Sequence, residues 1–478
     1  MKLQRPILLG GLGLSFSLWM LQSWHQTMVQ VGELSLFSLL VVGGGLWLLK
    51  QNRTKAVSKQ LDTLPVDRAT AEGAISIAKV VVDQLAQEAT NHVETLHATS
   101  LLQEQIAHLT DELNRQEINL AVTGGKSVGK TTLIQVLSEN QQNVETGSIT
   151  SLHFHETPPL FTKAGDKSDA AALEEAIASD FVLFLTNGDL TDSEFQTLQQ
   201  LKAAKQSTML VFNKQDQYLP EERASVLMSL KQRMQENVVA IAASPLPIKV
   251  RKHQEDGSVQ EWLEIPAPDI QQLTQQLGEI LTTHGQQLVW ATTIRKALGL
   301  KTTAKNLLNE RRRDRANPVI EQYQWIAAGA AFANPVPALD LLATAAINAQ
   351  MVMDLGGIYQ QKFALDQAQT VAVTMGSLML KLGLVELSSQ AISTILKSNA
   401  VTFVAGGVVQ GVSAAYLTRI AGLTLVEYFQ QQDIAITSGT GLNLNQISQT
   451  LLSCFQQNQQ IASLQTFVKQ GVKRLLPA

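Results

Sequence analysis

The sequence predicts a mostly parallel α/β domain with helices on both faces, set between an N-terminal transmembrane hairpin and an all-α C-terminal domain. Three observations carry this. Between Ile118 and Ile241, short apolar runs alternate with polar stretches of helical rhythm, the pattern of a parallel sheet covered by helices. The chain opens with two uncharged apolar runs, Pro6 to Trp24 and Leu34 to Leu49. From Gln322 to Phe429 it is apolar, rich in small residues and sparsely charged.

The 478 residues suffice for roughly three domains. Charged residues make up only 16%, below the usual quarter or so, which implies surface buried in lipid or between helices. A net charge of −4 gives no sign of a nucleic-acid partner, and none is expected. The single cysteine, Cys454, excludes an intramolecular disulfide and fits a reducing interior. No proline falls between Pro337 and Pro477, so that stretch is free to be helical.

Residues 1–55 read as the membrane hairpin. Pro6 to Trp24 would be about 28 Å long as a helix, and Leu34 to Leu49 extends back through Val29 to Gly32. Lys2 and Arg5 precede the pair, and Lys50, Arg53 and Lys55 follow it. Positive charge on both outer flanks puts both ends on the cytoplasmic side. A cleaved signal peptide is the competing reading, but no small-x-small site follows the first run. Residues 56–116 read as an amphipathic helical stalk. Val82, Leu85 and Ala89, then Leu102, Ile106, Leu109 and Leu113, keep helical spacing. Trp290, Ile294, Ala297, Ala304 and Leu308 do the same beyond the α/β domain. These helices either pair with one another as a stalk, a surface for homo-oligomers, or pack on the sheet.

Residues 117–270 form the α/β domain, with strands expected at Ile118–Val122, Leu152–His155, Phe181–Thr186, Thr208–Phe212 and Val238–Ile241. The first strand runs into Gly124-Gly125-Lys126-Ser127-Val128-Gly129-Lys130-Thr131-Thr132. This is the G-x-x-x-x-G-K-[ST] phosphate loop in its proper strand-to-helix setting. Its backbone N–H groups and the helix N-terminus would hold phosphates. Gly124 and Gly129 would permit backbone that a Cβ blocks. Lys130 would reach the β- and γ-phosphates and the Thr131 hydroxyl would bind Mg²⁺, the two residues expected to serve catalysis.

After the fourth strand comes Asn213-Lys214-Gln215-Asp216. A carboxylate at Asp216 can accept the N1–H and N2–H of guanine, a pair that adenine lacks. Asn213 would brace the loop and the base, and the Lys214 stem would cover the ring. Backbone N–H groups at Ala243 and Ser244 would meet the guanine O6. The expected ligands are therefore GTP and GDP with Mg²⁺, in a P-loop GTPase domain. A nucleotide switch offers D-x-x-G at the strand end facing the γ-phosphate; here that place reads Glu156-Thr157-Pro158-Pro159. Glu156 would hold the metal through water, while Pro159 has no N–H to give. Alternatively the switch loop is Ala164-Gly165-Asp166, and the upstream switch threonine is Thr146 or Thr150. His153 and His155 have metal-ligand spacing without an evident third ligand. A hairpin is expected from Ile248–Arg251 and Val259–Ile265 across Asp256-Gly257.

Residues 271–321 read as a helical connector, ending in Arg311, Arg312, Arg313 and Arg315. That cluster is either a solvated helix end or an anchor for anionic headgroups. Residues 322–478 read as a helical, membrane-associated domain with a Gln-rich tail. Ser398 to Thr418 has the length of a span, but a buried bundle explains the region equally well.

The order phosphate loop, degenerate switch, N-K-x-D, S-A resembles the translation-factor-type P-loop GTPases, with Ser179 to Thr191 similar to that domain's fourth strand. Asn334-Pro335-Val336-Pro337-Ala338-Leu339-Asp340-Leu341-Leu342 and Ala346 to Val352 resemble the YcjF-like helical domain of unknown function, which follows a GTPase domain in bacterial membrane GTPases. Together with the apolar hairpin, this implies an integral membrane protein with its GTPase domain on the cytoplasmic side and membrane lipids as partners. The departure at Glu156 to Pro159 implies slow GTP hydrolysis, stimulated by assembly or a partner. The alternatives are a low-turnover GTP-binding scaffold and a dynamin-like membrane-remodelling GTPase; an ATP-driven protein is disfavoured by Asn213 to Asp216.

Overall fold

In the computed structural model, residues 66–89, 93–140, 144, 147, 149–162, 166–234, 238–253, 259–333, 337–397, 406–431 and 443–475 are described. The expected membrane hairpin at 1–55 lies outside them, as do Thr146, Ala164-Gly165, the Asp256-Gly257 turn, Asn334 to Val336 and residues 398–405.

Two helices come first, α1 (Arg68–Glu88) and α2 (Val93–Glu112). Strands and helices then alternate: β1 (Glu117–Gly124), α3 (Lys130–Glu139), β2 (Ser151–Glu156), α4 (Asp166–Ala178), β3 (Phe181–Thr186), α5 (Asp192–Ala203), β4 (Thr208–Phe212), α6 (Pro220–Met234) and β5 (Val238–Ala240). The five strands form one parallel sheet in the order β2-β1-β3-β4-β5. Side chains alternate between its faces. Ile118, Leu120, Val122, Leu183, Leu185, Met209 and Val211 pack under α3. Ala121, Val182, Phe184, Leu210 and Phe212 pack under α4, α5 and α6. Because β2 lies on one side of β1 and β3 on the other, the chain reverses direction across the sheet at β1. The crevice at the carboxyl ends of β1 and β3 is where such sheets take ligands.

An antiparallel pair follows, β6 (Ile248–His253) and β7 (Val259–Glu264). Next comes α7 (Gln271–Ala333), a single helix of 63 residues, about 95 Å long. Its first part, through Leu273, Leu277, Leu281 and Val289, covers the α3 face of the sheet. Its middle, through Ala297, Ala304 and Leu308, packs against Leu85 of α1 and Leu102, Ile106 and Leu109 of α2. No sheet residue joins that cluster, so of the two readings of these helices the packing follows the helix–helix one. The last part, through Ile320, Tyr323 and Ala328, enters the C-terminal bundle. The division expected at 321/322 thus falls inside one continuous helix, with Pro318 just before it.

The bundle contains α8 (Pro337–Ile358), α9 (Leu365–Lys381), α10 (Leu384–Lys397), α11 (Gly406–Gln431), α12 (Leu444–Asn458) and α13 (Ile461–Leu475). Its core includes Met351, Leu355, Met375, Ile392, Val412, Ile420, Phe429, Leu451 and Phe467. Helix 407–431 is long and apolar enough to cross a membrane, yet 67% of its apolar window is buried in the protein. Its small residues serve close helix packing: a Cβ on Gly422 would strike Ile320, and one on Gly411 would strike the Ala328 carbonyl. Burial within the bundle therefore accounts for its composition. The helices α9 and α10 together pass the same test, bent by 69°. The Gln-rich tail is α12 and α13, which bury Ile447, Leu451, Phe455, Leu464 and Phe467 and leave their glutamines outward.

Candidate functional site

The phosphate-loop motif sits at the carboxyl end of β1, beside β3. Gly124 pairs with Leu185, and a Cβ on Gly124 would run into the Leu185 carbonyl. Ser127 (φ +62°) and Gly129 (φ +96°) are left-handed, so the chain curls through this stretch and α3 starts at Lys130. Such a curl aims consecutive N–H groups into one concavity. Lys130 is buried; its ammonium donates to the Gly124 carbonyl at 3.3 Å and the Gly125 carbonyl at 3.1 Å. Burial pulls its pKa below the ordinary lysine value, and the Glu156 carboxylate, 3.7 Å away, opposes that shift.

The N-K-x-D residues come to the other side of the same loop. Asn213 is buried and joins two segments: its Nδ2 donates to the Val128 carbonyl at 2.9 Å, and its Oδ1 accepts from the Ala243 N–H at 3.1 Å. A Cβ on Gly129 would strike that Nδ2. Lys214 (φ +62°) donates from Nζ to the Ser127 carbonyl at 2.8 Å. The Asp216 carboxylate is exposed and accepts from the Leu246 N–H at 2.9 Å. Thus Gly124 to Thr132, Asn213, Lys214, Asp216, Ala243 and the exposed Ser244 line one rim of the sheet. Asn213 and Lys214 make their contacts to the loop itself.

Beside Lys130, the Thr131 hydroxyl donates to Glu156 Oε2 at 2.6 Å. A hydroxyl and a carboxylate are hard oxygen donors of the kind Mg²⁺ takes, so these two residues suit that ion. The expected histidine pair is engaged otherwise: His153 lies 3.4 Å from Glu117, and His155 lies 3.4 Å from the Ser179 hydroxyl. Among the described residues no three His, Cys, Asp or Glu side chains gather in a metal-binding group.

The segment after Glu156 runs alongside β1 and the loop. The Thr157 N–H donates to the Val122 carbonyl and the Leu160 N–H to the Gly124 carbonyl, both at 3.1 Å. The Phe161 N–H donates to Asp169 Oδ1 at 3.0 Å. Pro158 and Pro159 have none. Every backbone N–H from Thr157 to Phe161 is therefore absent or engaged. Leu160 is buried, and Phe161 (φ +61°) reaches toward Gly125 with its ring. A positive φ is strained for an aromatic residue.

Leu160 and Phe161 carry no sequence signal; only the bridge between Leu160 and Gly125 brings them to the loop. Also unforeseen is an ionic cluster at the opposite end of the sheet. The fully buried Asp180 carboxylate accepts both Arg115 guanidinium nitrogens at 2.8 Å and the Asn119 N–H at 2.8 Å. From α7, Arg295 donates to the Ser179 carbonyl at 2.9 Å, and burial pulls its pKa down to about 10 against the opposing charge of Asp180. In the expected Arg311 to Arg315 cluster, Arg312 is buried and paired with Glu88 of α1 at 2.7 Å. Arg315 also pairs with Glu88. Arg312 is thus spent on holding helices together, whereas Arg315 makes its pair from an exposed position.

A family model described as a domain of unknown function, DUF697, matches residues 295–460. No curated protein matches the chain. Among solved structures, a probable GTP-binding protein engB is similar at 15% identity and TM-score 0.21, over 26% of this chain and 88% of that one. LeoA, a bacterial dynamin GTPase from ETEC, is similar at 11% identity and TM-score 0.28, over 85% of this chain and 97% of that one. An oligomerised bacterial dynamin pair, described as a mechanism for long-range sensing and tethering of membranes, is similar at 13% identity and TM-score 0.24. There the match covers 82% of this chain and 80% of that one.

Proposed function

We propose that this chain is a membrane-anchored GTP-binding protein that hydrolyses GTP to GDP and phosphate slowly. The observation that carries the reading is the joint between the two motifs. Asn213 and Lys214 are bonded to the carbonyls of Val128 and Ser127, so the phosphate loop and the Asp216 carboxylate share one rim. A triphosphate on the loop would have its base within reach of Asp216, which selects guanine. Thr131 and Glu156 would hold Mg²⁺, which when bound would neutralise phosphate charge. Lys130 would exchange its carbonyl contacts for β- and γ-phosphate oxygens.

Slow turnover follows from the segment beyond Glu156. From Thr157 to Phe161 a γ-phosphate finds no free backbone N–H, and Leu160 and Phe161 are apolar where a polar side chain would orient the attacking water. A useful rate then requires groups from a second molecule, on assembly or from a partner. The same observation favours a second reading, a GTP-binding scaffold of very low turnover; a dynamin-like role on membranes is a third. Membrane attachment rests on the apolar runs within residues 1–55.

Single-turnover GTP hydrolysis by dilute, detergent-solubilised protein tests the proposal when repeated across protein concentration and with liposomes. The expected result is a slow rate that climbs with concentration or lipid. Fast hydrolysis independent of both contradicts it, and a rate near zero under every condition selects the scaffold.

A further inference from the structure

Lys126 is the third residue of the phosphate loop, and its side chain is exposed at the crest of that loop. Among the described residues it has no hydrogen-bond or ion-pair partner. The neighbouring cations differ: Lys130 is engaged with two loop carbonyls beside Glu156, and Lys214 with the Ser127 carbonyl. On one side of Lys126, Gly125 faces the Phe161 ring; on the other, Ser127 is tied to the N-K-x-D segment. Lys126 therefore stands between the end of the loop that faces the switch segment and the end that faces the base. It is a free ammonium on a flexible four-carbon stem. Among the described residues beside the loop, Leu160 and Phe161 offer neither a cation nor a polar side chain, and their N–H groups are engaged.

We infer that Lys126 supplies, in the same molecule, the positive charge at the transferring phosphoryl group that sustains the slow rate of the isolated protein. The inference rests on the GTP-binding reading above. Water oxygen bonds to the γ-phosphorus, and the bond to the β–γ bridging oxygen breaks. GDP keeps that electron pair, and both protons of the water leave with the inorganic phosphate as dihydrogen phosphate. The Lys126 ammonium exchanges no proton; it attracts the charge that grows on the bridging and γ-oxygens as the bond opens. Attraction that grows along the reaction accelerates it, whereas equal attraction to bound GTP only tightens binding. Because the charge comes in cis, the residual rate of the isolated protein depends on it.

The test compares full-length wild type with Lys126→Ala, Lys126→Gln and Lys126→Arg. It reads binding of a non-hydrolysable GTP analogue, the single-turnover rate at saturating GTP, and thermal melting as a control for folding. Expected for Ala and Gln is an affinity within about threefold of wild type and a rate lower by about tenfold or more, below the 10²–10³ loss at enclosed oxyanion holes because this site is open to water. Arg should keep the rate within about threefold, since it too places a cation there. An unchanged saturating rate with weakened binding overturns the inference, as does an Arg variant no faster than Gln, or a wild type that binds GTP without turnover. Wild-type protein that binds no GTP overturns the parent reading and this one with it.

Discussion

At Lys130, burial disfavours the charged side chain until a phosphate arrives. The free protein holds this ammonium at a depressed pKa, and bound phosphates would raise it again. The sign follows: nucleotide affinity is complete below the free-protein pKa and falls as pH rises through it, because binding must then take up a proton. Calorimetry in two buffers of different ionisation enthalpy should show no uptake near neutrality and uptake on the alkaline side; uptake equal at both removes phosphate from Lys130. Gly129→Ala should destabilise the fold by more than about 1 kcal/mol, since φ is positive there, and should also weaken nucleotide binding by displacing Asn213; a melt and a titration check both. Residues of this kind were legible because the phosphate loop and N-K-x-D fix residue types at fixed short spacings. The ionic joints were not, because Glu88 and Arg312 are far apart in sequence and no periodicity links them. Glu88→Ala should leave Arg312 buried and unpaired and destabilise the protein by about 3–5 kcal/mol. A melting shift near zero would make the pair ornamental.

Among the elements, the strands were legible and the long helix was not. Four of the strands are short apolar runs closed by polar or turn residues, the edge strand β2 alternates apolar and polar residues, and all five lie within a residue or two of the expected bounds. The helix α7 changes partner twice, from sheet to α1 and α2 and then to the bundle. Its apolar stripe therefore drifts around the axis, and no single period marks it as continuous. The switch segment was legible in part: Pro159 announced a missing donor, but only the structure shows Thr157, Leu160 and Phe161 engaged. A hydrogen bond to a charged group contributes about 1.5–3 kcal/mol. Without one here, GTP and GDP affinities should differ by less than about tenfold, or 1.4 kcal/mol. Competition binding of the two nucleotides measures this directly, and a preference for GTP of a hundredfold would refute the engaged segment.

Across the whole molecule, one helix joins the candidate nucleotide site's sheet to the DUF697 region. Loss of residues 1–50 should release a large share of the protein from membranes, because the apolar runs lie there; whatever stays bound measures attachment by the rest of the chain. Full retention after that deletion would refute the hairpin as the anchor. Everything proposed here depends on guanine recognition at the shared rim, and nucleotide selectivity of the purified protein tests that most directly. GTP should bind and ATP should not compete at comparable concentration, Lys130→Ala should abolish binding in a folded protein, and Asp216→Asn should transfer preference to xanthosine triphosphate. Equal affinity for ATP and GTP, unaffected by Asp216→Asn, would contradict guanine recognition at that rim.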